Sequence, residues 1–247
     1  MGRAHNIQTV SPVERIIFPL DVPSGEEAVR LVGILKNHVG VYKIGLELFV
    51  KEGPSIIEAV RKESPSSKIF LDMKFHDIPE TVKRAERSAV SLGVDFITVH
   101  CEGGAELLRA AAKEAGNTVI LGVTVLTSSS REDLLAMGMR EELADPEKLV
   151  LHKAKMAKDA GLGGVVCSGL EVKKVKQAFG SSLITVTPGI RFADVNVASD
   201  DQKRIVTPFD AIRDGADYIV VGRPIRDAKD PIEAADKVKT EIAKALA

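Results

Sequence analysis

The sequence has no tryptophan, and only 4% of its 247 residues are aromatic. That scarcity argues against platforms on which bases or sugars stack. Cysteine is nearly absent as well. Cys101 and Cys167 stand alone, without a CxxC or a zinc-ligand spacing, which excludes a disulfide framework. Both lie in or beside apolar runs and are expected to be buried, reduced thiols, so a cytoplasmic location is the default. Neither sign of charge dominates. Lys and Arg number 34 against 35 Asp and Glu, a net charge of −1, so neither nucleic acid nor an anionic membrane is expected as a partner. Long hydrophobic runs are also lacking. The longest uncharged stretch, 115–130, contains Gly, Asn, Thr and Ser and is no membrane span. The opening MGRAHNIQTVSPVE holds no apolar signal-peptide segment, and Asn6 stands where a myristoylation motif has Ser or Thr.

What is present is a core. Hydrophobic residues make up 45% and charged residues 28%, ordinary proportions for a globule and far from those of a disordered chain. The length suits one barrel-sized domain or two small ones. Eight short, β-branched runs recur: 15–22, 41–46, 68–75, 95–101, 118–126, 163–169, 183–190 and 217–225. Most are apolar throughout, as strands covered on both faces are. Helical patterns lie between them. Residues 25–37 follow Ser24 as N-cap, with Glu27 completing a capping box. Residues 79–92 and 146–160 open on Pro79 and Pro146, which suit the first helical position, and 104–115 forms another helix. Gly93, Gly116, Gly161, Gly180 and Gly215 close helical patterns. Eight strand–helix units close most naturally into a (β/α)8 TIM barrel, with a doubly wound open sheet as the structural alternative. No linker divides the chain. The expectation is one α/β catalytic domain over 15–247, preceded by an irregular arm over 1–14.

Chemistry on such a barrel sits where the strands end. Asp21 ends the first run and Lys43 lies in the second. Asp72 and Lys74 end the third, His100 the fourth, Thr127 and Ser128 the fifth, and Ser168 the sixth. Asp72 and Lys74 are two apart, so in a regular strand they share a face and converge on Asp21 and Lys43. Alternating acids and bases keep each other ionised. A structural salt-bridge ring is the bland alternative, and apolar closure of the mouth would suit stability better. Asp77 reads equally well as a helix-start acid, and Thr81 is unremarkable alone. His76 and His100 default to structural hydrogen bonding. The acids could serve Mg²⁺, but Lys43 and Lys74 repel a metal and already neutralise them. After runs seven and eight come Gly189 with Arg191 and Gly222 with Arg223, glycines for close backbone approach and forked cations for a phosphate. The long segment 192–206 reads as a loop able to cover that phosphate, with Gln202 as a contact.

LDMKFHDIPETV at 71–82 closely resembles the Asp-x-Lys-x-x-Asp signature of the orotidine 5′-monophosphate decarboxylase family. The resemblance continues through LDV at 20–22, YKIGLELF at 42–49, TVLTS at 124–128, TPGIR at 187–191 with DDQ at 200–202, and VGRPI at 221–225. The signature core alone is shared with related Mg²⁺-dependent sugar-phosphate enzymes. A lyase or aldolase of that kind, or a non-catalytic nucleotide-binding barrel, are the rival readings, and the TVLTS, TPGIR/DDQ and VGRPI segments disfavour the first. The resemblance implies a cofactor-free, metal-free decarboxylation of orotidine monophosphate in pyrimidine synthesis. It implies a catalytic set of Lys74, Asp72, Asp77 and Lys43, with Lys74 protonating C6 and Asp72 against the substrate carboxylate. Asp21 and Lys43 would contact ribose hydroxyls, and Thr127 and Ser128 the pyrimidine edge. Gln202, Gly222 and Arg223 would grip the phosphate beside Arg191. Asp77 and Thr81 would be lent to a partner subunit, which implies a homodimer.

Overall fold

A computed structural model describes residues 10–193 and 204–247. Eight parallel strands close into a barrel in sequence order: β1 (Ile16–Pro19), β2 (Val41–Ile44), β3 (Lys68–Phe75), β4 (Phe96–His100), β5 (Val119–Val123), β6 (Gly164–Val166), β7 (Ile184–Thr187) and β8 (Tyr218–Val220). β1 pairs with both β2 and β8, so no strand edge is left open. The helices between them, in chain order, are α1 (Gly25–Leu35), α2 (Leu46–Glu52), α3 (Ser55–Glu63), α4 (Pro79–Ser91), α5 (Gly104–Glu114) and α6 (Arg131–Ala136). α7 (Pro146–Asp159), α8 (Gly169–Phe179), α9 (Pro208–Arg213), α10 (Arg223–Arg226) and α11 (Pro231–Leu246) complete the ring. The expected barrel is therefore the observed one. No helix among the described residues is long and apolar enough to cross a membrane.

Local chemistry explains the boundaries. Ser24 caps α1 by accepting the Glu27 N–H at 3.2 Å. Only half of the expected capping box forms, because the Glu27 carboxylate turns to Arg30 at 2.7 Å. Asp145 caps α7 by accepting from Glu147 and Lys148. The five expected helix-closing glycines all take positive φ, the conformation that costs glycine least. Every strand but β3, which spans the whole of its run, is shorter than its apolar run, because the polar end of the run peels away into the mouth. The end of the expected arm is more ordered than irregular: Val13–Arg15 form a 3-10 turn, and the Arg15 guanidinium donates to the Asp217 carbonyl at 3.2 Å.

Period-two alternation divides the apolar residues into two cores. Ile16, Phe18, Tyr42, Ile44, Ile69, Leu71, Ile97 and Val99 pack outward beneath the helices. Ile17, Val41, Phe70, Phe96, Leu121, Val186 and Tyr218 fill the barrel. Phe96 meets Phe70 and Tyr218 edge-on, with ring centroids 6.0 and 5.2 Å away, a favoured aromatic geometry. This plug makes a dry floor for whatever lies above it.

One buried group in the helical layer lacks a partner. Glu86 on α4 is fully buried, and neither carboxylate oxygen has a hydrogen-bond partner among the described residues. Burial pushes its pKa up to about 8 from an ordinary 4.5, because desolvation disfavours the charged form. Its stabilising share is complete below about 4.5 and is lost as pH climbs towards 8. Glu86→Met should therefore raise the thermal midpoint at pH 8.5 and flatten its decline between pH 5 and 8.5, measured by circular dichroism. An unchanged pH profile would contradict the buried, neutral carboxyl.

Candidate active site

The site grows out of the barrel interior by one step of two residues. Val41, Phe70 and Phe96 belong to the interior core. Two positions further along β2, β3 and β4 stand Lys43, Asp72 and Thr98. Asp72 is buried and lies between two ammonium groups, with Lys74 Nζ 2.8 Å and Lys43 Nζ 3.5 Å from its Oδ2. Lys43 Nζ reaches on to Asp21 Oδ1 at 3.2 Å. Asp21, Lys43, Asp72 and Lys74 thus form the alternating chain expected from the sequence. Burial by itself pushes the Asp72 carboxyl up, but the charges of Lys43 and Lys74 and the hydrogen bonds of Lys74 and Thr98 hold it below the usual carboxylate range. Gly45 fits close against this chain, since a Cβ there would lie 3.2 Å from both Asp21 Oδ1 and Lys43 Nζ.

Asp72 and Lys74 meet, but not through a regular strand. Leu71 pairs with Ile97 and Phe75 with Val99, so residues 72–74 oppose Thr98 alone. Lys74 has φ of +50° and is the one non-glycine residue with positive φ among those described. That backbone costs about 1–2 kcal/mol for an L-residue. Thr98 offsets it with two hydrogen bonds. Its Oγ1 accepts the Lys74 N–H at 2.9 Å and donates to Asp72 Oδ1 at 2.9 Å. Thr98 is not among the residues expected from the sequence, where His100 marks the polar end of the same strand and defaults to structural hydrogen bonding. The available signal was a hydroxyl at the inward position, two residues beyond Phe96.

Above the chain opens a cavity of about 260 Å³, lined by Lys43, Asp72 and Lys74 on one side and Leu126, Thr127 and Ser128 on another, with Phe70 below. Beside it, and sharing Lys43, Pro188 and Val220, is a second cavity of about 290 Å³ lined by Asp21, Gly189, Arg191, Gly222 and Arg223. Gly222 passes so close to β1 that a Cβ would lie 2.9 Å from Pro19 Cγ. Gly189 takes φ of +78°. Arg191 is buried and donates to the neighbouring Ile190 carbonyl at 2.7 Å. Arg226, which the sequence reading did not select, lines the same cavity and donates to the Asp21 carbonyl at 3.0 Å. It lies one helical turn beyond Arg223. A largely apolar space and a cationic one therefore adjoin across Lys43, an arrangement for a ligand with an apolar part and an anionic arm.

Two expected site residues are not gathered here. Asp77 and Thr81 are exposed and line neither cavity; Asp77 Oδ1 accepts the Ile78 N–H at 2.6 Å. The expected Gln202 contact lies outside the described residues, as do 194–203 as a whole. The His76 and His100 rings lie 5.5 Å apart, tilted by 42°, and His100 Nδ1 lies 3.0 Å from Glu102 Oε2. Glu102 also pairs with buried Lys153. Against its own burial, those partners hold the Glu102 carboxyl down to about 2.

Comparison with known proteins agrees with this geometry. The model of the orotidine 5′-phosphate decarboxylase / HUMPS family matches residues 14–238. An orotidine 5′-phosphate decarboxylase from Desulfosudis oleivorans is 48% identical over 248 residues, covering 100% of both chains. One from Syntrophus aciditrophicus is 45% identical over 244 residues, covering 95% of each. Among solved structures, the orotidine 5′-phosphate decarboxylase from Lactobacillus acidophilus is similar with a TM-score of 0.78 and 36% identity, covering 92% of this chain and 98% of that one. By the family match and by these full-length relatives, the chain belongs to the orotidine 5′-phosphate decarboxylase / HUMPS family.

Proposed function

We propose that this enzyme decarboxylates orotidine 5′-monophosphate to uridine 5′-monophosphate and CO₂, in pyrimidine biosynthesis, with Lys74 as the proton donor to C6. The observation that carries the reading is the Lys74 ammonium held 2.8 Å from buried Asp72, facing a cavity that opens onto an arginine-lined one. Breaking the C6–CO₂ bond leaves its electron pair in the ring plane, where the π system cannot delocalise it. A fixed ammonium at that carbon stabilises the charge as it develops. The same ammonium then gives C6 a proton and regains one from water. The Asp72 carboxylate keeps Lys74 aimed and charged, and it repels the substrate carboxylate until CO₂ leaves. That repulsion is secondary to the ammonium.

The remaining roles follow from the two cavities. Asp21 and Lys43 suit the ribose hydroxyls between them, Thr127 and Ser128 the pyrimidine edge, and Gly222, Arg223 and Arg191 the phosphate, with Gln202 as a further phosphate contact. Binding energy from the phosphate organises the charges at a carbon it never touches. The acids are already neutralised by Lys43 and Lys74, which supports a reaction without a divalent metal or other cofactor. The catalytic unit is the barrel of residues 15–247 behind the arm 1–14. It works as a homodimer in which Asp77 and Thr81 reach the partner's site. Their exposure, with Ile78 between them 68% exposed, supports that arrangement, since a large apolar residue beside two polar ones suits an interface. Two buried free thiols, Cys101 and Cys167, suit the cytoplasm.

In excess EDTA, the protein should consume the orotate chromophore of orotidine 5′-monophosphate, and Lys74→Ala should slow that loss by about 10³-fold or more. Turnover that needs Mg²⁺, or tight binding without turnover, would replace the proposal with a metal-dependent lyase or a binding protein. Thr98→Val should lower kcat by about tenfold to a hundredfold, the share of a hydrogen bond to a charged group, with a smaller change in KM. Wild-type kinetics would remove Thr98 from the site. Mixing Lys74→Ala with Asp77→Ala subunits should restore activity that neither has alone, because one site of each mixed dimer is then intact. No recovery on mixing would assign Asp77 to its own subunit.

A further inference from the structure

The wall of the first cavity made by Leu126, Thr127 and Ser128 belongs to a loop, not a strand, since β5 ends at Val123. Something other than a β ladder must fix it. The main-chain carbonyls at its start, 124–126, are held by two buried cations. Lys153 Nζ on α7 donates to the Thr124 carbonyl at 2.8 Å and pairs with Glu102. Arg204 Nη2 donates to the carbonyls of Val125 and Leu126 at 3.2 and 3.0 Å. Its Nη1 donates to Glu171 Oε1 on α8 at 2.6 Å, and both residues of that pair are buried.

Arg204 lines neither cavity. It is nevertheless tied to the second one through the backbone. Two residues on, the Val206 N–H donates to the Gly189 carbonyl at 3.2 Å, and the Val206 carbonyl accepts the Arg191 N–H at 3.0 Å. Val206 also packs on α8, where a Cβ on Gly169 would lie 2.2 Å from Val206 Cγ2. The Gly189–Arg191 turn is thus anchored to 204–206 by backbone bonds that do not involve the guanidinium.

We propose that Arg204 is a positioning residue that sets the Leu126–Ser128 wall in register with the Gly189–Arg191 turn, so that recognition of the base depends on it and recognition of the phosphate does not. This rests on the reading that the two cavities take the base and phosphate of one nucleotide. A planar guanidinium satisfies two carbonyls and a carboxylate at once. A lysine in its place keeps the charge opposite Glu171 without that fork. Removing Arg204 alone strands the buried Glu171 carboxylate, so the pair is best removed together.

The test is calorimetric binding of uridine 5′-monophosphate and of ribose 5-phosphate, which lacks the base, to wild type, Arg204→Lys and the double variant Arg204→Met/Glu171→Gln. Both variants should bind uridine 5′-monophosphate about tenfold or more weakly, the share of lost hydrogen bonds to a charged donor. Ribose 5-phosphate should bind within about twofold of wild type, as an independent site does. Equal weakening of both ligands, or wild-type nucleotide binding by Arg204→Lys, would overturn the proposal, because a packing or charge-balance role predicts those results. Absent turnover in wild type, with the base-selective loss intact, would sink the proposed reaction while supporting this role. A wild type that binds both ligands equally would overturn both.

Discussion

The structure depends on one carboxylate. Asp72 sits above the aromatic plug, almost out of water, between the ammonium groups of Lys43 and Lys74. Alone, each of these ions would be strongly disfavoured at that depth. Together with Asp21 at one end and the Thr98 hydroxyl beside them, they satisfy one another. The bulge in β3 and the left-handed backbone of Lys74 follow from the need to bring two side chains of one strand into contact. A regular strand spaces side chains two residues apart by more than a hydrogen bond. Strain of this kind persists only where the surroundings over-determine it, and Thr98 does so from the neighbouring strand.

Glu86 shows what the same functional group does without such partners. Both carboxylates are buried, yet Asp72 is held below the usual range and Glu86 is pushed to about 8. Burial acts alike on both, and the difference is the pair of lysines. Charge inside this barrel therefore marks chemistry, whereas the buried acid in the helical layer is a neutral group tolerated by packing. Two further ion pairs flank the mouth, and they differ: against its own burial, His100 and Lys153 hold the partly exposed Glu102 down to about 2, whereas at Glu171 burial outweighs Arg204 and leaves the carboxyl above its usual range. Each holds a cation that in turn holds main-chain carbonyls of the loop after β5. The loop that carries Thr127 and Ser128 is thereby tied to α7 and to Arg204 through its backbone.

The two adjoining cavities differ in character. One is floored by apolar side chains and walled by the charged chain. The other is lined by arginines and closely packed glycines. Lys43 belongs to both, so the ammonium that neutralises Asp72 also stands where the two spaces meet. A ligand that fills both spaces brings remote binding energy to bear on the charged floor. That is the economy of a barrel mouth: residues far apart in the chain converge because every strand ends there.

The sequence by itself determined the barrel, its eight strands and the members of the charged chain. Those features are local: period, apolar runs, helix-closing glycines, and polar residues where each run stops. Asp21, Lys43, Asp72, Lys74, Thr127, Ser128, Arg191, Gly222 and Arg223 were legible for that reason, and the structure brings them to two adjoining cavities. Only the tertiary structure decided how Asp72 and Lys74 meet, since a bulge depends on what the next strand offers and not on the bulged strand's own residues. It alone selected Thr98 over His100: both share the face of Phe96, but Thr98 lies opposite the bulge and reaches the Lys74 N–H and Asp72 Oδ1, whereas His100, one step further on, meets Glu102. Arg226, Lys153 and Arg204 were hidden for the same cause. Their partners are backbone carbonyls, which carry no sequence identity, and only folding brings a side chain at 204 to the carbonyls at 125 and 126.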